Sequence, residues 1–198
     1  MRASILIGIL LLLTVDAPVA GAESNRPRCP ARGAQYTFSD GTNIEAAGEQ
    51  GDNICRFKNL KTQATFDRLL GSFSPTNKLV KANAEKFQSL ASLEVGQKIA
   101  FDNSGADVRG ADGVWFYEVS IERSEKVATA AGTFPAFVIL YDEQSPQGTR
   151  GHWQRRFWYA PDVGYAVKFE YLMLHGVPSL NYPKNWELTA FKPGGATR

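Results

Sequence analysis

The chain has 198 residues, and 22 Lys+Arg against 20 Asp+Glu leave a net charge of +2. A balance so close to neutral argues against non-specific nucleic-acid binding, which needs a concentrated basic face. The length fits one domain with enough chain to bury a core.

The first residues read as an export signal. Arg2 supplies a short positive region, the stretch from Ile5 to Val15 is uncharged and apolar, and Ala20-Gly21-Ala22 offers small residues for a signal peptidase. Cleavage is expected after Ala22. A membrane anchor needs about 20 apolar residues, and Asp16 interrupts this run. Removing residues 1–22 takes one charge of each sign, Arg2 and Asp16, so the balance is unchanged. No later run is long enough to span a bilayer. The mature product is therefore expected to be soluble, periplasmic or secreted, and without stable membrane insertion. No cysteine stands beside the cleavage region, so a lipid-modified amino terminus is not expected.

Two cysteines follow, Cys29 and Cys55. In an oxidising compartment an even count predicts one disulfide, and the absence of Cys-x-x-Cys spacing argues against a redox-active pair. The expected organisation is a flexible lead over 23–34, a single β-rich domain over 35–192 and a tail over 193–198.

Strand signals dominate the domain. Tyr36-Thr37-Phe38 precedes a Ser39-Asp40-Gly41 turn, and Gly51-Asp52-Asn53 precedes Ile54-Cys55-Arg56-Phe57. A further strand is predicted from Ala64 to Leu70. From Asn77 to Leu93, apolar residues at helical spacing predict one helix closed by Gly96. Trp115, Tyr117, Val119 and Ile121 then alternate with polar positions, and Phe134–Tyr141 is apolar on both faces, as in a central strand. Trp153, Phe157 and Tyr159 share one face of the next strand. Tyr165, Val167 and Phe169 alternate cleanly in another, and Trp186, Leu188 and Ala190 mark the last. Short connections favour sequential antiparallel pairing. The predicted fold is mainly β: a curved antiparallel sheet or open half-barrel with one packed α-helix.

Ala131-Gly132-Thr133-Phe134, then Trp158-Tyr159-Ala160-Pro161-Asp162-Val163-Gly164, then Glu187-Leu188-Thr189 occur in that order. The chain resembles a group of uncharacterised exported bacterial proteins that share this pattern on consecutive strands. The resemblance covers about residues 95–192 and implies a cell-envelope location and a β-rich fold. It brings no catalytic residues. Each motif also has a structural explanation: Gly132 suits a hairpin turn, and Pro161 with Gly164 shapes another.

The catalytic inventory is thin. His152 and His175 lack metal-ligand spacing, no Gly-x-Ser-x-Gly elbow or phosphate-binding loop is present, and no metal or cofactor is implied. The stretch from Asp102 to Asp107, with Asp112, lacks the acidic repeat and final Glu of a calcium loop and reads as a hairpin connection. Carboxylates are plentiful from Asp102 to Glu187, but a glycosidase needs two of them roughly 5 to 9.5 Å apart, which spacing in sequence does not establish.

Arg150, His152, Arg155 and Arg156 interleave with Trp153, Phe157 and Trp158. Cations beside aromatics suit a phosphorylated lipid headgroup, an anionic polysaccharide or a single strand of nucleic acid. The plainer alternative is a strand with its aromatics in the core and its arginines solvated. Trp158 points the way of Gln154 and Arg156, which makes it the expected exposed aromatic. The candidate ligand-binding set is Trp153, Arg155, Arg156 and Trp158. The leading expectation is a non-enzymatic envelope protein binding a lipid or other amphipathic small ligand. An accessory subunit with an envelope protein partner is the second expectation, and a hydrolase using two carboxylates is the third.

Overall fold

Among the described residues, alternating apolar positions, cut by Gly- and Asn-bearing turns, fold into ten strands: β1 (Gln35–Phe38), β2 (Asn43–Glu49), β3 (Ile54–Asn59), β4 (Thr65–Leu69), β5 (Lys98–Asp102), β6 (Phe116–Thr129), β7 (Gly132–Gln144), β8 (Gly151–Ala160), β9 (Tyr165–Gly176) and β10 (Trp186–Lys192). The structure, a computed structural model, describes residues 26–104, 113–145, 151–176 and 183–195. The segment read as a signal, with Asp107, Asp112 and Arg150, lies outside them.

The strands form one open antiparallel sheet in the order β4-β3-β2-β1-β10-β9-β8-β7-β6-β5. The mainly β, curved antiparallel fold is thus as the sequence predicts. Pairing is sequential except at the centre, where β1 joins β10. The two ends of the chain therefore meet in the middle of the sheet. Cys29 and Cys55 are bonded, with their Cα atoms 5.2 Å apart. Within the lead, Pro27 and Ala34 are buried, whereas Arg28, Ala31 and Arg32 are exposed. A Cβ on Gly164 would stand 2.7 Å from the Arg28 carbonyl oxygen, and one on Gly194 would stand 2.5 Å from that of Ala31. The Tyr36 hydroxyl donates to the Val163 carbonyl at 2.7 Å, fixing the same turn from the other side.

β4 and β5 lie at opposite edges, so the connection between them must travel from one edge to the other. It carries α1 (Lys78–Ala82), α2 (Ala84–Ser89) and a 3-10 turn (Leu90–Ser92). Val80, Phe87, Leu90 and Leu93 from this connection are buried with Ile99, Phe101, Tyr117, Val119, Ile139, Tyr141 and Tyr159 of the sheet. Each large side chain so buried contributes about 1.5–3 kcal/mol.

The single helix expected over 77–93 is broken at Asn83. Asn77 caps α1 by accepting from the Leu79 and Val80 amides. Asn83 then leaves helical geometry (φ −120°, ψ 28°), and its side-chain amide donates to the Leu79 carbonyl at 3.0 Å. An Asn side chain competing for backbone carbonyls ends helices in this way. The periodicity of apolar residues survives the break, because both halves still face the sheet.

β6 and β7 form a long hairpin whose tip reaches β10, where the Ala131 amide donates to the Leu188 carbonyl at 3.2 Å. A second core collects Val127, Ala136, Val138, Trp158 and Leu188 with Tyr36, Phe38, Phe57, Tyr165 and Val167.

Candidate functional site

β8 separates the sequence-predicted site residues onto two faces. Arg155 stands on the face of Phe157 and Tyr159: its guanidinium lies 5.3 Å from the centre of the Tyr141 ring and pairs with Glu143 at 3.1 Å. Trp153 stacks on Trp115 with ring centres 4.9 Å apart. Arg156 belongs to the opposite face, where it pairs with Glu122 at 3.0 Å. His152 and Gln154 share Asp142 there, at 2.8 and 2.9 Å. The four candidate residues are therefore not one site, and neither arginine is simply solvated.

Trp158 is not the exposed aromatic that alternation suggests. It is 4% exposed. Its indole N–H donates to Glu125 at 2.6 Å, and the Lys168 ammonium sits 4.5 Å from the ring centre. The physical reason is tertiary: this end of β8 lies in the core with Val127, Ala136, Val138 and Leu188. A register shift between Trp158 and Tyr159 also interrupts the regular alternation against β9.

On the Arg155 face a cleft of about 380 Å3 opens, lined by residues of β1, β4, β8, β9 and β10 and of the turns after β1 and β4. Its walls are aromatic. Phe38 meets Trp186 at 4.8 Å between ring centres, Trp186 meets Phe169 at 5.6 Å, and Phe169 meets Phe157 at 5.0 Å. Tyr165 closes the set, 5.6 Å from Phe38. Contacts of this kind add about 0.5–1.5 kcal/mol each beyond area burial, so the walls are held by one another. Tight backbone geometry sets one side. Leu70 and Gly71 take consecutive positive φ values of 51° and 62°, and a Cβ on Gly71 would lie 2.7 Å from the Tyr165 Cα. Only glycine allows that approach, which brings Ser72 to the cleft.

The polar groups of the lining are few. Arg68 and Arg155 both line the cleft, as does Asp40 at the exposed rim. Asp40 Oδ1 accepts from the Thr42 amide at 2.8 Å. Burial pushes the Tyr165 hydroxyl up, with Arg68 acting against the rise. Ser72 Oγ is buried with no hydrogen-bond partner among the described residues. A smaller hollow of about 170 Å3 shares Ser72, Arg155 and Phe157 with the cleft and continues towards Val80 of α1.

Glu143 has one feature of a catalytic acid, since burial raises it above the usual carboxylate range. The charge that acts on it is Arg155, not the second carboxylate a glycosidase requires. A shallow groove of about 750 Å3 along the β5 edge holds Asp102, Glu118 and Asp142. Each is already engaged: Asp102 by Ser104, Glu118 by Lys98 and Asp142 by His152 and Gln154. Among the described residues no group of His, Cys, Asp and Glu is placed to hold a metal, and no helix is long and apolar enough to cross a membrane.

No family model matches the chain, and no curated protein matches it. Two solved structures are similar in part. One is a candidate exported protein with a YmcC-like fold from Bacteroides fragilis, at 13% identity and a TM-score of 0.36, covering 83% of this chain and 98% of that one. The other is a candidate lipoprotein from Parabacteroides distasonis, at 13% identity and a TM-score of 0.35, covering 85% of this chain and 99% of that one. A likeness at this level carries nothing about what the cleft holds.

Of the candidate residues, Arg155 alone lines this cleft. Its place was readable from Trp153-x-Arg155-x-Phe157, since period two puts all three on one face. Arg68, Ser72 and Trp186 come from other elements and carried no motif.

Proposed function

We propose that this chain is an exported, non-enzymatic cell-envelope protein that binds a hydrophobic or amphipathic small ligand on the concave face of its sheet. The aromatic cleft carries the proposal. Its volume of about 380 Å3 falls within the range of roughly 300–1,000 Å3 typical of small-ligand sites, which pair apolar walls with a few placed polar groups. Export is supported by the charged, apolar and small segments ahead of Ala22 and by the Cys29–Cys55 bond, which suits an oxidising compartment.

Titration of the mature protein with a fluorescent fatty acid tests the proposal. Saturable one-to-one binding is expected, and Thr42→Trp at the rim should weaken it at least tenfold. Thr42 suits the purpose because it bonds Asp40 and Phe38 through its backbone N–H and carbonyl. No saturable binding, or equal binding by the blocked variant, would overturn it.

An accessory-subunit role is the second reading. It is favoured by Leu172 and Leu174, which are 47% and 48% exposed at alternate positions of β9. Crosslinking in cells from Leu174→Cys would recover a discrete envelope protein under this reading and only bare chain otherwise.

A further inference from the structure

The polar groups of the cleft are not arranged at random about its aromatic walls. Arg68 and Arg155 reach it from β4 and β8 respectively. Among the described residues no carboxylate lies within ion-pairing distance of Arg68. Its Nη1 donates to the Asp67 carbonyl at 2.9 Å, and its guanidinium rests 4.6 Å from the centre of the Phe66 ring. The neighbouring Asp67 is occupied by Arg56 in a two-point pair at 2.8 and 3.1 Å. Arg68 is thus set against an aromatic and hydrogen-bonded to the Tyr165 side chain at the cleft, with the Asp67 charge nearby but no carboxylate in a salt bridge with it among the described residues. Arg155 pairs with Glu143 through Nη2, but a guanidinium carries five N–H donors.

Two neutral groups complete the polar side. The Tyr165 hydroxyl is pushed up by burial and is hydrogen-bonded to Arg68, which acts against the rise. Ser72 Oγ is buried beside the cleft with no hydrogen-bond partner among the described residues. Asp40 is the opposing charge, but it stands on the exposed rim, where water screens it.

We infer that the cleft takes an amphiphile with an acidic headgroup, carboxylate or phosphate, whose anion lies between Arg68 and Arg155 and whose tail lies along Phe38, Phe169 and Trp186. This rests on the small-ligand reading above and adds the sign and chemistry of the head. Guanidinium forks suit both headgroups, because two parallel N–H bonds match two oxygens of either one.

The test compares laurate, dodecyl phosphate and dodecanol on the mature protein by calorimetry, with inorganic phosphate as a tail-less control. One or both acids should bind at least about tenfold tighter than the alcohol, as a charge-assisted hydrogen bond implies. That preference should shrink as salt is raised. Arg68→Gln should shrink the preference of acid over alcohol, Arg155 keeping part of it, and a wild-type circular dichroism spectrum shows that the variant is folded. If acids and alcohol bind alike, the acidic-head inference falls and the amphiphile reading stands. A preference that survives Arg68→Gln and high salt undiminished overturns the assignment to Arg68. If inorganic phosphate displaces laurate at equal concentration, the tail is irrelevant and the site is one for a free anion. No binding by any of them removes both readings.

Discussion

Replacing Trp158 by Phe separates a structural tryptophan from a ligand-binding one. The indole N–H donates to Glu125 at 2.6 Å, and hydrogen bonds to charged groups are worth about 1.5–3 kcal/mol. Glu125 has a side-chain exposure of 36%, so water recovers part of that loss and the lower end applies. The Lys168 ammonium at 4.5 Å favours indole over benzene by a few tenths of a kcal/mol at a part-exposed site. The smaller ring also leaves unfilled space among Val127, Val138 and Leu188, at a cost of about 1 kcal/mol. The expected loss is therefore about 2–3 kcal/mol, read as a lower urea midpoint at unchanged slope. The effect should depend on pH. Glu125 is held below its ordinary range first by Arg123 and then by Trp158. Its contribution is present above the unfolded value of 4.5 and is lost as pH falls through the folded one. The variant should thus approach the wild type in acid, with part of the slope kept by Arg123. Binding of the fluorescent fatty acid should not change. A variant of wild-type stability that no longer binds would refute the reasoning and return Trp158 to the ligand.

Removing the Cys29–Cys55 bond by a double Cys→Ser change should cost about 3.5 kcal/mol on loop-closure grounds for a separation of 26 residues, measured by urea unfolding; a loss under about 1 kcal/mol would contradict that picture. Glu143→Gln should gain stability relative to wild type as pH rises above the ordinary value of 4.5. The reason is that burial makes the folded protein hold the Glu143 proton more tightly than the unfolded chain does. Parallel pH profiles for the two proteins would show that Glu143 is not raised. Gly164→Ala should cost more than Gly41→Ala, although both glycines have positive φ. A Cβ at Gly164 meets the Arg28 carbonyl at 2.7 Å, whereas one at Gly41 meets nothing within 4 Å. Strained backbone alone is worth about 1–2 kcal/mol, and equal losses would mean the Arg28–Pro30 segment does not press on the turn.

Strands were the most legible part of the molecule because period two is imposed locally by the pleat. Tyr117, Val119 and Ile121 declared a buried face without any knowledge of their neighbours. The disulfide was legible from compartment and count. The union of β1 with β10 was not, since nothing in Tyr36-Thr37-Phe38 names a partner about 150 residues away. That pairing sends β4 and β5 to opposite edges and forces the helical connection across the sheet. The break at Asn83 lay in a single side chain competing for a carbonyl, beneath an apolar periodicity that was otherwise correct. Trp158 misled because alternation gives direction but not cover, and its cover comes from the β6–β7 hairpin and β10. The cleft itself is a meeting of five strands and two turns, so only Arg155, on a strand already rich in aromatics, could be singled out beforehand.

Native mass spectrometry of the mature protein purified from the periplasm, followed by organic extraction, tests the proposal of a ligand-binding cleft most directly. A stoichiometric extra mass that extracts as an acidic amphiphile, and is absent from Thr42→Trp, is the predicted result. A bare polypeptide mass for both proteins, together with no uptake of added laurate or dodecanol, would contradict it.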